Sequence, residues 1–220
     1  MFMSEEGKRS QATARTREKL VQVALELYGE RSIDAVSLRQ ISAAAGQKNP
    51  NALQYHFRDR DGLLQAIIDR HAPMVAKVRA EYVASVRVDA LSPAKLAAQA
   101  LVLPIVDYIE NSPDGANFVK VISQISAVYQ NGSSESVNSG IAFPESEELK
   151  QVFASALSGL SADEARKRVY LAVTTSFHTL ADIYRNGPGG RRVSKARVAM
   201  VAQLICLLES YFAADPCQGS

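Results

Sequence analysis

The sequence contains little cysteine and little histidine, which limits the chemistry it can support. Two cysteines occur among 220 residues, Cys206 and Cys217, and neither belongs to a Cys-x-x-Cys motif or a Cys/His cluster. We therefore expect no metal site and no disulfide framework, which fits a reducing compartment. The three histidines, His56, His71 and His178, are scattered along the chain. No nucleophile motif, phosphate-binding loop or HExxH sequence is present, so we predict neither an enzyme nor a cofactor-binding protein.

Long apolar runs are also missing from the sequence. No stretch approaches the roughly 20 apolar residues needed to span a membrane. The first twenty residues are polar and lack the apolar core of a signal peptide. We therefore expect a soluble, cytoplasmic protein that makes no contact with a membrane.

The net charge is small, but its distribution along the chain is uneven. The formal charge of +2 does not by itself indicate a nucleic-acid-binding protein. Between Lys8 and Arg58, however, nine lysines and arginines outnumber four acidic residues, so the rest of the chain is net acidic. A basic N-terminal part suggests local contact with phosphate groups, and the alternative is an ordinary solvated helix face.

Helical spacing of apolar residues dominates the sequence, and no β pattern or internal repeat is visible. Hydrophobic residues make up 47% of the chain, enough for a sizeable core. We predict an all-α fold. The first helix is expected from Arg15, after a flexible basic tail over residues 1–14, and Pro73 is expected to kink or end the helix that follows Asp59.

The segment 37–57 is the most informative part of the chain. Ser37 is a good N-cap with Gln40 at the capping-box position, Gly46 supplies a turn, and residues 51–57 form a second short helix. Two short helices joined by such a turn are typical of a helix-turn-helix that reads duplex DNA.

Side chains in this segment suit both kinds of DNA contact. Amides pair bidentately with adenine, a small apolar group fits beside a thymine methyl, and phenol, imidazole and cationic groups bind phosphate oxygens. The alternative for the two aromatic residues, Tyr55 and His56, is a packing role. The candidate base-reading residues are Asn49, Asn51, Ala52 and Gln54, the candidate phosphate contacts are Lys48, Tyr55, His56 and Arg60, and Arg39 could take either role.

From about Arg15 to Ile68 the sequence resembles the DNA-binding domain of the TetR family of bacterial transcriptional regulators. The motifs that carry the resemblance are residues 36–41, Ala45-Gly46, and the continuous run 53–64, Leu-Gln-Tyr-His-Phe-Arg-Asp-Arg-Asp-Gly-Leu-Leu. The resemblance implies phosphate contacts by Arg60, Tyr55 and His56. The turn from Gly46 to Asn51 is about one residue longer than the common pattern, which leaves open whether Asn49, Pro50 or Asn51 enters the major groove.

The resemblance also implies how the rest of the chain is organised. A helix-turn-helix domain over residues 15–60 would precede a helical regulatory and dimerisation domain over residues 61–215. The last two long helices would form a homodimer interface, although their apolar residues could instead be interior to one chain. The interface candidates are Phe177, Leu180, Tyr184, Val201, Leu204, Ile205, Leu208 and Phe212.

A pocket for an amphipathic small-molecule effector is implied by the same resemblance. Aromatic walls with a few polar groups suit such a ligand, and the alternative for each residue is plain core packing. The pocket candidates are Tyr108, Phe118, Ile122, Tyr129, Phe153, Tyr170 and His178. The loop over residues 131–140, rich in Ser, Asn and Gly, could be a pocket lid or an idle connection.

The sequence thus predicts a sequence-specific DNA-binding transcriptional regulator. In this interpretation a homodimeric repressor binds a palindromic operator in double-stranded DNA and is released by its effector. The alternative is a helical protein-interaction module without specific DNA binding.

Overall fold

The computed structural model describes residues 5–49, 51–86, 90–129, 141–144, 146–186 and 194–216 of the chain. These residues form helices and connecting loops without a strand, which confirms the predicted all-α fold. The described helices are α1 (Glu5–Glu30), α2 (Leu38–Ala44), α3 (Ala52–Phe57), α4 (Arg60–Ser85), α5 (Pro93–Asn111), α6 (Gly115–Tyr129), α7 (Glu147–Ala156), α8 (Ala162–Ile183) and α9 (Lys195–Ala213). The loop 131–140 lies outside the described residues.

Helix α1 begins at Glu5, well before the expected start at Arg15. The flexible tail predicted over residues 1–14 is therefore wrong for most of its length. Its residues include Glu, Lys, Arg, Gln and Ala, which have high helix propensity. A helix of this composition extends into solvent without the apolar periodicity on which the prediction depended.

Helix α4 runs without interruption through Pro73, where the sequence suggested a kink or an end. Proline removes one intrahelical hydrogen bond, a penalty of about 3 kcal/mol. Apolar side chains before and after Pro73, among them Ile68 and Val75, are buried, and their packing stabilises the helix across the proline. As a result a single helix leads from the α2–α3 pair into the second half of the molecule, where it packs on α5.

Helix α5 is the centre of the larger domain and packs against α4, α6, α7, α8 and α9. It is apolar around most of its circumference, as expected for a helix covered on all sides. Ser92 caps it by accepting a hydrogen bond from the Lys95 N–H at 3.2 Å, and Pro93 occupies the first helical turn.

Helix α9 is apolar enough, by length and composition, to cross a membrane. The expectation that no segment reaches that threshold is therefore wrong. The same composition is common in core helices, and α9 packs on α5 through its side that carries Val201, Leu204 and Leu208. Only 28% of the most apolar part of α9 is buried inside the molecule, however. A large apolar face of the helix therefore remains uncovered.

Candidate functional site

Helix α2 is fixed by the capping box that the sequence predicted. The Ser37 hydroxyl accepts a hydrogen bond from the Gln40 N–H at 3.3 Å, and the Gln40 side chain accepts from the Ser37 N–H at 2.8 Å. Ile41 is buried beneath the helix while Arg39 remains exposed. These caps orient a helix of seven residues that is too short to be stable by itself.

The turn after α2 depends on Gly46, which has a φ of +71°. The longer connection that follows is ordered by Asn49, whose side-chain oxygen accepts a hydrogen bond from the Asn51 N–H at 2.9 Å. The Asn49 carbonyl also accepts from the Ala52 N–H at 3.1 Å. Asn49 therefore shapes the entry into α3, and Pro50 lies outside the described residues. A side-chain oxygen that accepts from the N–H two residues further on is an Asx turn.

Helix α3 has one buried face and one exposed face. Leu53 and Phe57 point into the domain, and Ala52, only 9% exposed, lies on the same side rather than among the outward-facing residues. Gln54 is exposed, and Tyr55 retains 80% of its accessible surface. A tyrosine that is exposed to this extent, on a helix anchored by two buried side chains, is available for contact with a partner.

His56 lies between these two faces. Its ring meets that of Tyr55 edge-on, with 5.1 Å between centroids. Burial, assisted by the nearby charge of Arg17, lowers the pKa of His56 below 6.5. At neutral pH the imidazole is thus mainly uncharged and carries a single N–H donor.

The junction between α3 and α4 is strained, and the sequence did not predict this. Arg58 adopts a φ of 66°, which is rare for a residue with a side chain, and its N–H donates to the Gln54 carbonyl at 2.9 Å. A Cβ on Gly62 would lie 2.1 Å from the Phe57 carbonyl oxygen, so only glycine fits there. Asp59 caps α4 by accepting from the Gly62 N–H at 2.9 Å.

Arg60 connects this junction to the loop before α2. Its guanidinium lies 3.5 Å from the Asp34 carboxylate and 3.5 Å from the Val36 carbonyl oxygen. The Arg60 side chain remains partly exposed. Lys48 and Asn51, which lie in the connection between α2 and α3, are exposed. The predicted DNA contacts, apart from the buried Ala52 side chain, thus retain accessible surface.

A cavity of about 290 Å³ lies in the larger domain between α4, α5, α6 and α8, with part of its wall from the residues that lead into α7. Three of the predicted pocket residues line it: Phe118, Ile122 and Tyr170. Phe177, predicted at the dimer interface, also lines it. Its other lining residues are Ile68, Ala72, Val75, Ala76, Arg79, Leu101, Ser126, Phe143, Pro144, Ser146, Leu149, Val169 and Val173.

The remaining pocket candidates lie elsewhere. His178 is exposed and belongs to a separate surface depression, and the Phe153 ring meets that of Phe212 at a tilt of 45°, outside the main cavity. The Tyr129 side chain is outside the described structure. Sequence spacing cannot distinguish which aromatic residues of several amphipathic helices share one void, because that depends on how the helices are rotated against each other.

Tyr108 lies behind the cavity wall rather than in it. Its hydroxyl is 2.5 Å from Nδ1 of the buried His71, and both rings pack against Phe118. Burial, with a smaller effect from Arg70, lowers the pKa of His71 to about 4, and Asp114 opposes this shift. His71 is therefore neutral in the folded protein near pH 7.

Six of the predicted interface residues are buried within one chain, which corrects that prediction. They pack in the core of their own chain. The six are Leu180, Tyr184, Val201, Leu204, Leu208 and Phe212. Ile205 and Phe177 are partly buried against the same core. Helix α9 has two apolar sides, and its sequence does not show which of them its own chain covers.

Comparisons with known proteins identify the N-terminal domain. Residues 20–67 match the model of the tetR family of bacterial regulatory proteins. Over 85 residues the chain is 31% identical to the HTH-type transcriptional regulator AcrR of Shigella flexneri, a match that covers 39% of this chain and 39% of the relative. The match thus spans about two fifths of that relative's length.

Two solved structures show weaker likeness to the chain. A gamma-butyrolactone receptor (ArpA-like protein) has a TM-score of 0.46 and 16% identity, over 90% of this chain and 98% of that one. RolR in complex with resorcinol has a TM-score of 0.42 and 14% identity, over 96% and 100%. The assignment rests instead on the N-terminal match and on the geometry of α2 and α3. Residues 20–67 are thus a helix-turn-helix domain of the tetR family of bacterial regulatory proteins.

Proposed function

We propose that the protein is a transcriptional regulator that binds a two-fold symmetric operator as a homodimer and is released from it by a small molecule. The observation that carries this proposal is the outward face of α3, with Tyr55 80% exposed on a helix held by buried Leu53 and Phe57. An exposed aromatic hydroxyl on a rigid recognition helix is suited to a phosphate contact, and the amide of Gln54 beside it is suited to a base edge.

The base-reading and phosphate-binding roles fall on different side chains. Asn51 makes no capping hydrogen bond through its side chain, so its amide is available to a base at the N-terminal end of α3. Tyr55, His56 and Arg60 supply phosphate contacts, with Lys48 and Arg39 adding positive charge around them. Asn49 acts on recognition through the turn that it orders.

A second copy of the chain is proposed to cover the exposed side of α9. No charged residue lies between Val198 and Leu208. Met200 and Leu207 on that stretch are more than half exposed, and Leu171 of α8 is 49% exposed. An uncovered apolar face of this length is typical of an interface between subunits. A two-fold dimer would present its two recognition helices to half-sites about 34–36 Å apart.

The effector is proposed to bind the cavity beside α4. Because α4 contacts both the short helix α3 and the central helix α5, a ligand that shifts α4 changes the spacing of the recognition helices. The dimer is released from DNA if the ligand binds more tightly to a form whose recognition helices are spaced too widely or too narrowly for the operator. A cytoplasmic location follows from the proposed target.

Binding measurements on three variants test the DNA-reading part of this proposal. We expect Tyr55→Ala and Arg60→Ala to weaken binding to all duplexes. Arg60→Ala, which removes a cation, should also reduce the salt dependence of binding. Asn51→Ala should instead relax preference at one base position per half-site by about 1–3 kcal/mol. Lys77→Ala, an exposed cation in the middle of α4, is the matched control. Equal losses for all three variants on every sequence would refute the division of roles.

A further inference from the structure

Arg79 is a charged side chain in an otherwise apolar cavity. Four aromatic residues contribute to the walls, namely Phe118, Phe143, Tyr170 and Phe177. Among the described lining residues Arg79 is the single charged one, and it is only 7% exposed. Its position on α4 places a positive charge on the helix that leads to the DNA-binding domain.

The guanidinium has far more hydrogen-bonding capacity than its own chain uses. Its Nε donates to the Ala100 carbonyl at 3.1 Å, and this is its one hydrogen bond to the described part of the chain. A guanidinium carries five N–H donors, so both terminal nitrogens retain theirs. Glu148 attracts it electrostatically but lies beyond ion-pair distance and accepts instead from the Ser146 hydroxyl at 3.0 Å.

Because Arg79 keeps its charge inside the cavity, its burial is unfavourable unless an anion binds to it. Burial lowers the pKa of Arg79 to about 10, so the side chain is still cationic at neutral pH. An anion bound by the guanidinium would offset the cost of holding this charge among apolar side chains. The nearby hydroxyl groups have fewer free hydrogen-bonding positions for a ligand than the guanidinium has. Ser126 already donates to the Ile122 carbonyl at 2.9 Å, and Ser146 caps α7.

We propose that the effector is an amphipathic carboxylic acid whose carboxylate is bound by the terminal nitrogens of Arg79. This inference rests on the proposed function and names the class of ligand for it. Guanidinium and carboxylate match in planar, bidentate geometry, and one carboxylate neutralises the one charge among the described lining residues. The aromatic walls take the apolar body. A volume of about 290 Å³ limits that body to a small molecule, at the lower end of the range for ligand pockets.

Matched acid and amide pairs test the charge requirement directly. The probes are 3-phenylpropionate with 3-phenylpropionamide, and octanoate with octanamide, titrated calorimetrically into the full chain. Each pair has nearly the same shape and differs in charge. We expect the wild-type protein to bind at least one acid about tenfold to a hundredfold more tightly than its amide, the range for a charge-assisted hydrogen bond pair.

Variants assign that preference to Arg79. Arg79→Gln should remove the acid preference and leave amide affinity within about threefold. Arg79→Lys keeps the positive charge but lacks the planar guanidinium that binds both carboxylate oxygens, and should retain part of the acid preference. Arg166→Gln, at an exposed arginine of α8 that does not line the cavity, is the matched control.

Three results would overturn the inference: equal binding of acid and amide, no binding of either acid up to millimolar concentration, or a preference that survives in Arg79→Gln. The wild-type comparison stands even if a variant fails to fold. DNA binding without ligand is measured on the same samples. A protein that binds DNA specifically but shows no acid preference contradicts the ligand class alone, whereas one that binds acids but no DNA contradicts the proposed function.

Discussion

Gln124 of α6 donates from its side-chain amide to the Tyr28 carbonyl at the end of α1, at 3.1 Å. Its oxygen accepts from the Ile33 N–H just beyond the same helix end, at 2.8 Å. One side chain thus provides hydrogen-bond partners for a free backbone carbonyl and a free backbone N–H at the end of α1. Because Ile122 and Ser126 of α6 line the cavity, this contact joins the ligand-binding part of the molecule to the DNA-binding domain.

Replacing Gln124 by alanine should therefore loosen the connection between the domains. We expect Gln124→Ala to lower the free energy of unfolding by about 1–3 kcal/mol, since two partly buried backbone groups lose their partner. Urea denaturation followed by circular dichroism measures this. Gln151→Ala, an exposed glutamine on α7, should change stability little. Equal effects of the two substitutions would show that the α1–α6 contact contributes no more than a surface residue.

The α3–α4 junction depends on the absence of a side chain at Gly62. A Cβ there would meet the Phe57 carbonyl oxygen at 2.1 Å, so Gly62→Ala must displace α3 or α4. We expect a loss of about 1–3 kcal/mol in stability and a larger loss of DNA affinity, because α3 carries the recognition face. Gly159→Ala is the control, with nothing within 4 Å of the added atom. Full DNA affinity in Gly62→Ala would contradict the role given to this junction.

His71 makes stability depend on pH in the mildly acidic range. Its pKa is lowered from 6.5 to about 4, mainly by burial, so the unfolded chain takes up the proton first as pH falls. This contribution to stability is fully present above pH 6.5 and declines towards pH 4. We expect the His71 contribution to fall by about 2 kcal/mol between pH 7 and pH 5.

Unfolding of His71→Phe at the two pH values isolates that contribution. The variant should lose less stability on acidification than the wild-type protein, whereas His178→Phe, at an exposed histidine, serves as the matched substitution. An unchanged pH dependence in His71→Phe would mean that other groups cause it.

The proposed dimer uses the side of α9 opposite its monomer core. Leu207 is 58% exposed, whereas Leu208 beside it is 1% exposed. Leu207→Glu should convert dimers to monomers while leaving helix content unchanged, as measured by sedimentation velocity and circular dichroism. Met74→Glu, at an exposed apolar residue of α4, is the control. A wild-type protein that sediments as a monomer would contradict the proposed interface.

Local interactions made much of the fold predictable. The caps at Ser37, Asp59 and Ser92 are encoded within three residues of each helix start, and the structure contains each of them. The helix-turn-helix was recognisable for the same reason. By contrast, the early start of α1 and the passage of α4 through Pro73 depend on propensity and on distant packing, which a short pattern does not contain.

Buried charge was not predictable in this way. Arg168 is fully buried because it donates to the carbonyls of Tyr211, Ala214 and Asp215 beyond or near the end of α9. Those partners are more than forty residues away in sequence. Arg79 likewise appears as one arginine among many until α5 and α6 enclose it. Both cases depend on tertiary contacts rather than on spacing.

Selection of bound fragments from random duplex DNA at near-physiological salt tests the central claim most directly. The account predicts recovery of a two-fold symmetric site, with half-sites about one helical turn or a multiple of it apart, and weaker enrichment of that same site with Tyr55→Ala. Weak, salt-sensitive binding with no recovered motif would contradict it, because only nonspecific contact with phosphate would then remain.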